Sequence, residues 1–91
     1  MTPEAFEIAW TSAARRALPR LPEKVATAAV EFVYGSLATD PGRVGKPLKL
    51  GLEGLHSARR GDYRVIYRVD RARRRVEVVA LELRSDAYRR R

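Results

Sequence analysis

Leu55-His-Ser-Ala-Arg-Arg-Gly-Asp-Tyr-Arg-Val-Ile-Tyr-Arg-Val69 reads as a single β-hairpin around which the remaining chain can be arranged. Arg60-Gly61-Asp62 is a turn signal, because Gly reaches positive φ without strain and Asp hydrogen-bonds its own nearby backbone. The residues on either side alternate as strands do. After the turn, Tyr63, Val65, Tyr67 and Val69 share one face while Arg64, Ile66 and Arg68 share the other. The first set needs burial, so both tyrosines are expected in the core. The second places two guanidiniums on an open surface, which is where chemistry is expected.

Working outward, Asp70-Arg71-Ala72-Arg73-Arg74 is polar enough for a second turn. Arg75-Val-Glu-Val-Val-Ala-Leu-Glu-Leu83 then predicts a strand with a nearly continuous apolar centre, buried on both faces and central in its sheet. Residues 84–88 leave it as a turn or short helical tail that Ser85 or Asp86 can cap. Towards the N-terminus, Phe6, Ile8 and Trp10 alternate over a short strand and face inward. Thr11 or Ser12 caps a first helix that Pro19 and Pro22 stop. Pro22 suits the first turn of a second helix, with Glu23 near the positive end of its dipole. In that helix Val25, Ala29 and Phe32 form one apolar row and Ala26, Val30, Val33 and Leu37 its neighbour. Asp40-Pro41-Gly42 ends the helix, and the Gly- and Pro-rich stretch from Gly45 to Gly54 is expected to be loop. The predicted fold is α+β, ordered β-α-α-β-β-β, with a helical hairpin on one face of a mostly antiparallel four-stranded sheet and a short C-terminal tail.

The 91 residues suit one domain, 1–91, able to bury a core without staples. Absence of cysteine excludes disulfides and thiolate metal sites. The first residues, with an early Glu4 and no apolar run, predict neither a signal peptide nor a membrane span, and a cytoplasmic location is expected. Charge is unevenly placed. Residues 1–54 carry seven Lys or Arg against six Asp or Glu, whereas residues 55–91 carry twelve against five, a net of +7. Sixteen of the nineteen basic residues are Arg, whose planar fork binds phosphate through paired hydrogen bonds and stacks on bases. An RNA or DNA partner follows. Arg15, Arg16, Arg71, Arg73 and Arg74 are read instead as solvated surface.

Leu21-Pro22 at a helix head, Gly45-Lys46-Pro47-Leu48, Leu52-Glu53-Gly54-Leu55, residues 57–67 reading Ser-Ala-Arg-Arg-Gly-Asp-Tyr-Arg-Val-Ile-Tyr, and Arg84 four residues before Tyr88 occur together here. Taken together they resemble the RelE branch of the RelE/ParE toxin superfamily, nearly end to end. The resemblance implies a type II toxin: a ribosome-dependent endoribonuclease that cuts mRNA in the ribosomal A site by attack of a ribose 2′-OH on its own 3′-phosphate, with no metal and no cofactor. It implies a cognate antitoxin as partner, and operator DNA bound only through the toxin–antitoxin complex. No membrane partner is implied.

By the same resemblance, Arg64 is the phosphate clamp, Arg59 and Arg84 are further basic groups of the catalytic site, and Tyr88 stacks on or donates to the scissile nucleotide. Arg60, Arg68, Lys46, Lys49, Arg89 and Arg90 are expected to add contacts to RNA. A bland alternative for Arg64 is an ion pair with Asp62 or Glu77 across the sheet. Leu55 and Ser57 stand where some members have lysines, and Leu83 where many have a basic group before the last Arg, which leaves the general base unassigned. His56, the only histidine, falls on the face opposite Ser57 and Arg59 and is read as structural. Two competing functions share this fold or charge: a ParE-like toxin that inhibits DNA gyrase, and a non-catalytic nucleic-acid-binding corepressor. Convergence of Arg59, Arg64, Arg84 and Tyr88 on one patch would favour the nuclease.

Overall fold

In the computed structural model, which describes residues 5–48 and 54–83, five strands form one sheet. Along the chain run β1 (Glu7–Trp10), α1 (Ser12–Ala17), a 3-10 turn (Leu18–Arg20), α2 (Glu23–Phe32), a π-helical turn (Val33–Leu37), α3 (Pro41–Val44), β2 (Lys46–Pro47), β3 (Leu55–Arg60), β4 (Tyr63–Asp70) and β5 (Arg75–Leu83). Their order in the sheet is β1-β5-β4-β3-β2. All neighbours are antiparallel except β1 and β5, which run parallel.

The α+β class and the helices on one sheet face agree with the sequence reading. Three details differ. A fifth strand, Lys46–Pro47, occupies the stretch expected to be loop and pairs with His56 and Ser57 at the sheet edge. An edge tolerates Pro because its missing N–H is not needed there. Pro41 opens a short helix where termination was expected, consistent with the preference of Pro for a first helical position. Finally, β5 is an inner strand as expected, paired with β1 and β4, but it is buried on one face only, with Val76, Val78 and Leu81 inside. The tail expected at residues 84–88 lies outside the described residues.

The hairpin forms as its sequence dictates. β3 and β4 are joined by Gly61-Asp62, with Gly61 at φ 54°. Tyr63, Val65 and Tyr67 are buried against Ala29, Phe32, Val33 and Leu37 of the helical layer. Buried Tyr63 donates to the Ala28 carbonyl (3.3 Å), and fully buried Tyr67 to that of Pro41 (2.6 Å). Burial raises both phenols, Tyr67 to about 12, while the Arg60 guanidinium works against the rise at Tyr63.

One irregularity governs the far side of the sheet. Ile66 pairs with Ala80 but Tyr67 with Val78, so Val79 is an extra residue in β5. Such a bulge switches the side-chain parity of its strand. Val76 and Val78 point inward before it, and Leu81 after it. This accounts for the run Val78-Val79-Ala80-Leu81, which strict alternation does not. Thr11 closes the site: its hydroxyl donates to the Val79 carbonyl (3.1 Å) and accepts from Ala14 N–H (3.1 Å) as the N-cap of α1.

Candidate functional site

Among the described residues, the helices cover one sheet face and leave the other open. Directly paired residues on neighbouring strands share a face, so strand register sets the arrangement of the open side. One row runs Arg59–Arg64–Glu82 across β3, β4 and β5. The next is Lys46–Ser57–Ile66–Ala80, and beyond it lies Leu55–Arg68–Glu77. Across these three rows four cations face two carboxylates, with the cations on β2, β3 and β4 and both carboxylates on β5; a further row, Asp70–Arg75–Glu7, follows, with Arg75 and Glu7 3.6 Å apart.

Arg59 and Arg64 stand directly opposite each other, an arrangement that like charges disfavour without a counter-ion. Arg64 finds one in Glu82. Its Nη2 and Nε donate to Glu82 Oε1 at 2.6 and 3.1 Å. The two side chains remain 42% and 50% exposed, so a ligand can reach both. The ion pair considered for Arg64 thus exists, but its partner is neither Asp62 nor Glu77. Among the described residues no carboxylate pairs with Arg59, Arg68 or Lys46.

Beside the row, β2, β3 and the end of α3 enclose a cleft of about 460 Å³ lined by Val44, Gly45, Lys46, Pro47, Leu48, Ser57 and Arg59. Gly45 permits this closeness: a Cβ there would collide with the Tyr67 hydroxyl and come within 2.8 Å of the Ser57 carbonyl. Arg59 belongs both to the cleft wall and to the arginine row. A polyanion lying along the row would therefore meet Arg64 and Arg59 and continue into the cleft past Lys46.

Of the residues singled out from sequence, Arg59, Arg64, Arg68 and Lys46 share the open face. Arg60 does not. Paired with Tyr63, it turns towards the helices, with its guanidinium 4.6 Å from the centre of the Phe32 ring. It lines a separate cleft with Lys24, Val25, Ala28 and Asp62. His56 takes the inner face as expected, stacked on Tyr67 with ring centres 5.4 Å apart. Its Nδ1 is buried without a hydrogen-bond partner among the described residues. Arg84, Tyr88, Lys49, Arg89 and Arg90 lie outside the described residues, so the convergence of four groups is observed for Arg59 and Arg64 alone.

Glu82 was missed from sequence for a physical reason. Counting alternation from Val76 and Val78 sends position 82 inward, and only the bulge at Val79 returns it to the open face. The available signal was the apolar run at 78–81, too long for strict alternation. Among the described residues no three His, Asp or Glu side chains are grouped to hold a metal ion.

Comparison with known proteins places the fold and the sequence in a family. Residues 8–88 match the family described as ParE toxin of type II toxin-antitoxin system, parDE. Toxin RelE of Mycobacterium tuberculosis is 56% identical over 84 residues, covering 92% of this chain and 87% of that protein. Toxin RelG of the same organism is 45% identical over 85 residues, covering 93% and 98%. The crystal structure of the toxin-antitoxin complex RelBE2 from M. tuberculosis contains a chain that superposes with a TM-score of 0.86 at 42% identity, covering 89% of this chain and all of that one.

Proposed function

The chain belongs to the RelE/ParE superfamily of type II toxin–antitoxin toxins, on its RelE-like side, and from that membership we propose that it is a ribosome-dependent endoribonuclease. The supporting observation is the facing pair Arg59–Arg64 on an open, rigid sheet surface. Cleavage by a ribose 2′-OH builds negative charge on the phosphoryl oxygens, and fixed donors aimed at that charge lower the barrier most effectively. Arg64 supplies a planar fork to one phosphate, and Arg59 neutralises its neighbourhood. Arg84 and Tyr88 complete the site in this reading, donating to the phosphate and stacking on the base. The ribosome holds the mRNA in the geometry required for in-line attack. The product is a broken codon and stalled translation in the cytoplasm.

The M. tuberculosis RelBE2 structure is a toxin–antitoxin complex. By likeness, this chain is held silent by its own antitoxin, through an acidic segment laid over the arginine row or a strand added to a sheet edge. Contact with operator DNA runs through that complex.

Primer extension on mRNA bound to bacterial ribosomes tests the nuclease. Wild type should cut within the A-site codon and leave ribosome-free RNA nearly intact. Arg64→Ala should lose on the order of 10²- to 10³-fold in cleavage rate, the cost of removing one charge-stabilising donor. Tyr88→Phe separates stacking from donation at that position. Absence of any cut by wild type would overturn the nuclease and lead to a gyrase-supercoiling assay, in line with the parDE description of the family.

A further inference from the structure

Resting on the nuclease reading above, we propose that Glu82 is the general base of this site, accepting the 2′-OH proton while Arg64 and Arg59 hold the adjacent phosphate. The 2′-OH and the 3′-phosphate sit on neighbouring carbons of one ribose, so base and clamp must stand side by side. Adjacent strands lie about 4.8 Å apart and project their paired side chains onto one face. The row Arg59–Arg64–Glu82 meets that requirement with three residues on three consecutive strands.

Other described groups do not. His56 is on the inner face, stacked against Tyr67. Asp62 belongs to the hairpin turn, and Glu77 is paired with Arg68, four residues along β4 from Arg64 and about 13 Å away at strand rise. Glu82 is the described carboxylate that touches the clamp. Both hydrogen bonds from Arg64 fall on Oε1. Oε2 receives none among the described residues and is turned over to an incoming hydroxyl. An ion pair this exposed adds little to folding stability, so stability alone gives Glu82 little reason to be there.

The step balances without a further reagent. The Glu82 carboxylate takes the proton from O2′, whose electron pair forms the O2′–P bond. The P–O5′ bond breaks, and the leaving 5′ oxygen keeps its electron pair and takes a proton from water. The products are a 2′,3′-cyclic phosphate and a 5′-hydroxyl, and Glu82 returns its proton to solvent. Arg64 orients the carboxylate until substrate arrives, then shares its donors with the phosphate.

Single-turnover cleavage of ribosome-bound mRNA by wild type, Glu82→Gln and Glu82→Ala, over a range of pH and with added formate, tests the assignment. Glu82→Gln should cut about 10²- to 10⁴-fold more slowly while still melting cooperatively close to wild type. The wild-type rate should climb with pH along one limb, set by Glu82 with Arg64 facing it from β4 and Arg59 one strand further, and Gln should abolish that limb. Formate should restore about tenfold or more to Glu82→Ala by supplying the missing base. Cleavage by Glu82→Gln within about threefold of wild type, or a slow rate with the pH limb intact and no formate rescue, would leave Glu82 as a mere latch on Arg64 and overturn the assignment while the nuclease stands. No cut by wild type would overturn both.

Discussion

Arg59 serves two opposed ends. Facing Arg64 across β3 and β4, it concentrates positive charge where the proposed nuclease would bind a phosphate, and it stands against a like charge whose described counter-ion is Glu82. Its removal should therefore separate stability from activity. Arg59→Ala is expected to raise the melting temperature by about 1–5 °C, the relief of one like-charge pair in a domain of this size, while slowing A-site cleavage by about tenfold or more. Thermal denaturation and primer extension on the same preparation check both halves, and a variant that is both less stable and fully active would refute this account of the residue. The face on which Arg59 and Arg64 lie was legible in the sequence, because alternation about a two-residue turn decides it. The fate of Arg60, one residue on, follows from the same rule: it goes to the helix side and rests on Phe32.

Among the elements, those with strong local codes were read correctly. The hairpin was given by Gly61-Asp62 and clean alternation, α1 by Thr11 as cap, and α2 by its paired apolar rows. Besides α3, which Pro41 opens, two features were hidden. Lys46–Pro47 carries only two residues and becomes a strand through its partner β3, a long-range fact that local composition cannot express. The bulge in β5 is likewise settled by what meets it, namely the Thr11 hydroxyl that takes the Val79 carbonyl while capping the next helix. Because that one side chain joins α1 to the bulge, Thr11→Ala should cost about 1–2 kcal/mol in chemical denaturation, loss of a cap together with a stranded carbonyl. Thr11→Ser, which keeps the hydroxyl, should recover most of the loss. Equal destabilisation by both variants would show that the methyl group and not the hydrogen bonds matters.

At the scale of the whole molecule, the helices pack over β1, β4 and β5, and the opposite surface carries charge, with Lys46, Arg59, Arg64 and Arg68 on β2, β3 and β4, Glu77 and Glu82 on β5, and the row Asp70–Arg75–Glu7 beyond them. No described helix is long and apolar enough to cross a membrane. Sequence order and spatial order diverge at one place: β1 is paired in parallel with β5, so residues 7–10 meet residues 75–78. Contacts this distant along the chain are made late in folding. A chain ending at residue 74 should accordingly show no cooperative melting, whereas one ending at residue 83 should; an early, cooperative transition in the shorter chain would contradict this dependence on β5. The pairing also imposes a schedule on biosynthesis. Until β5 has been made and has left its ribosome, β1 has no strand beside it, β4 lacks a neighbour, and Arg64 lacks Glu82. A nascent copy thus cannot assemble its charged sheet face before its last strand is out.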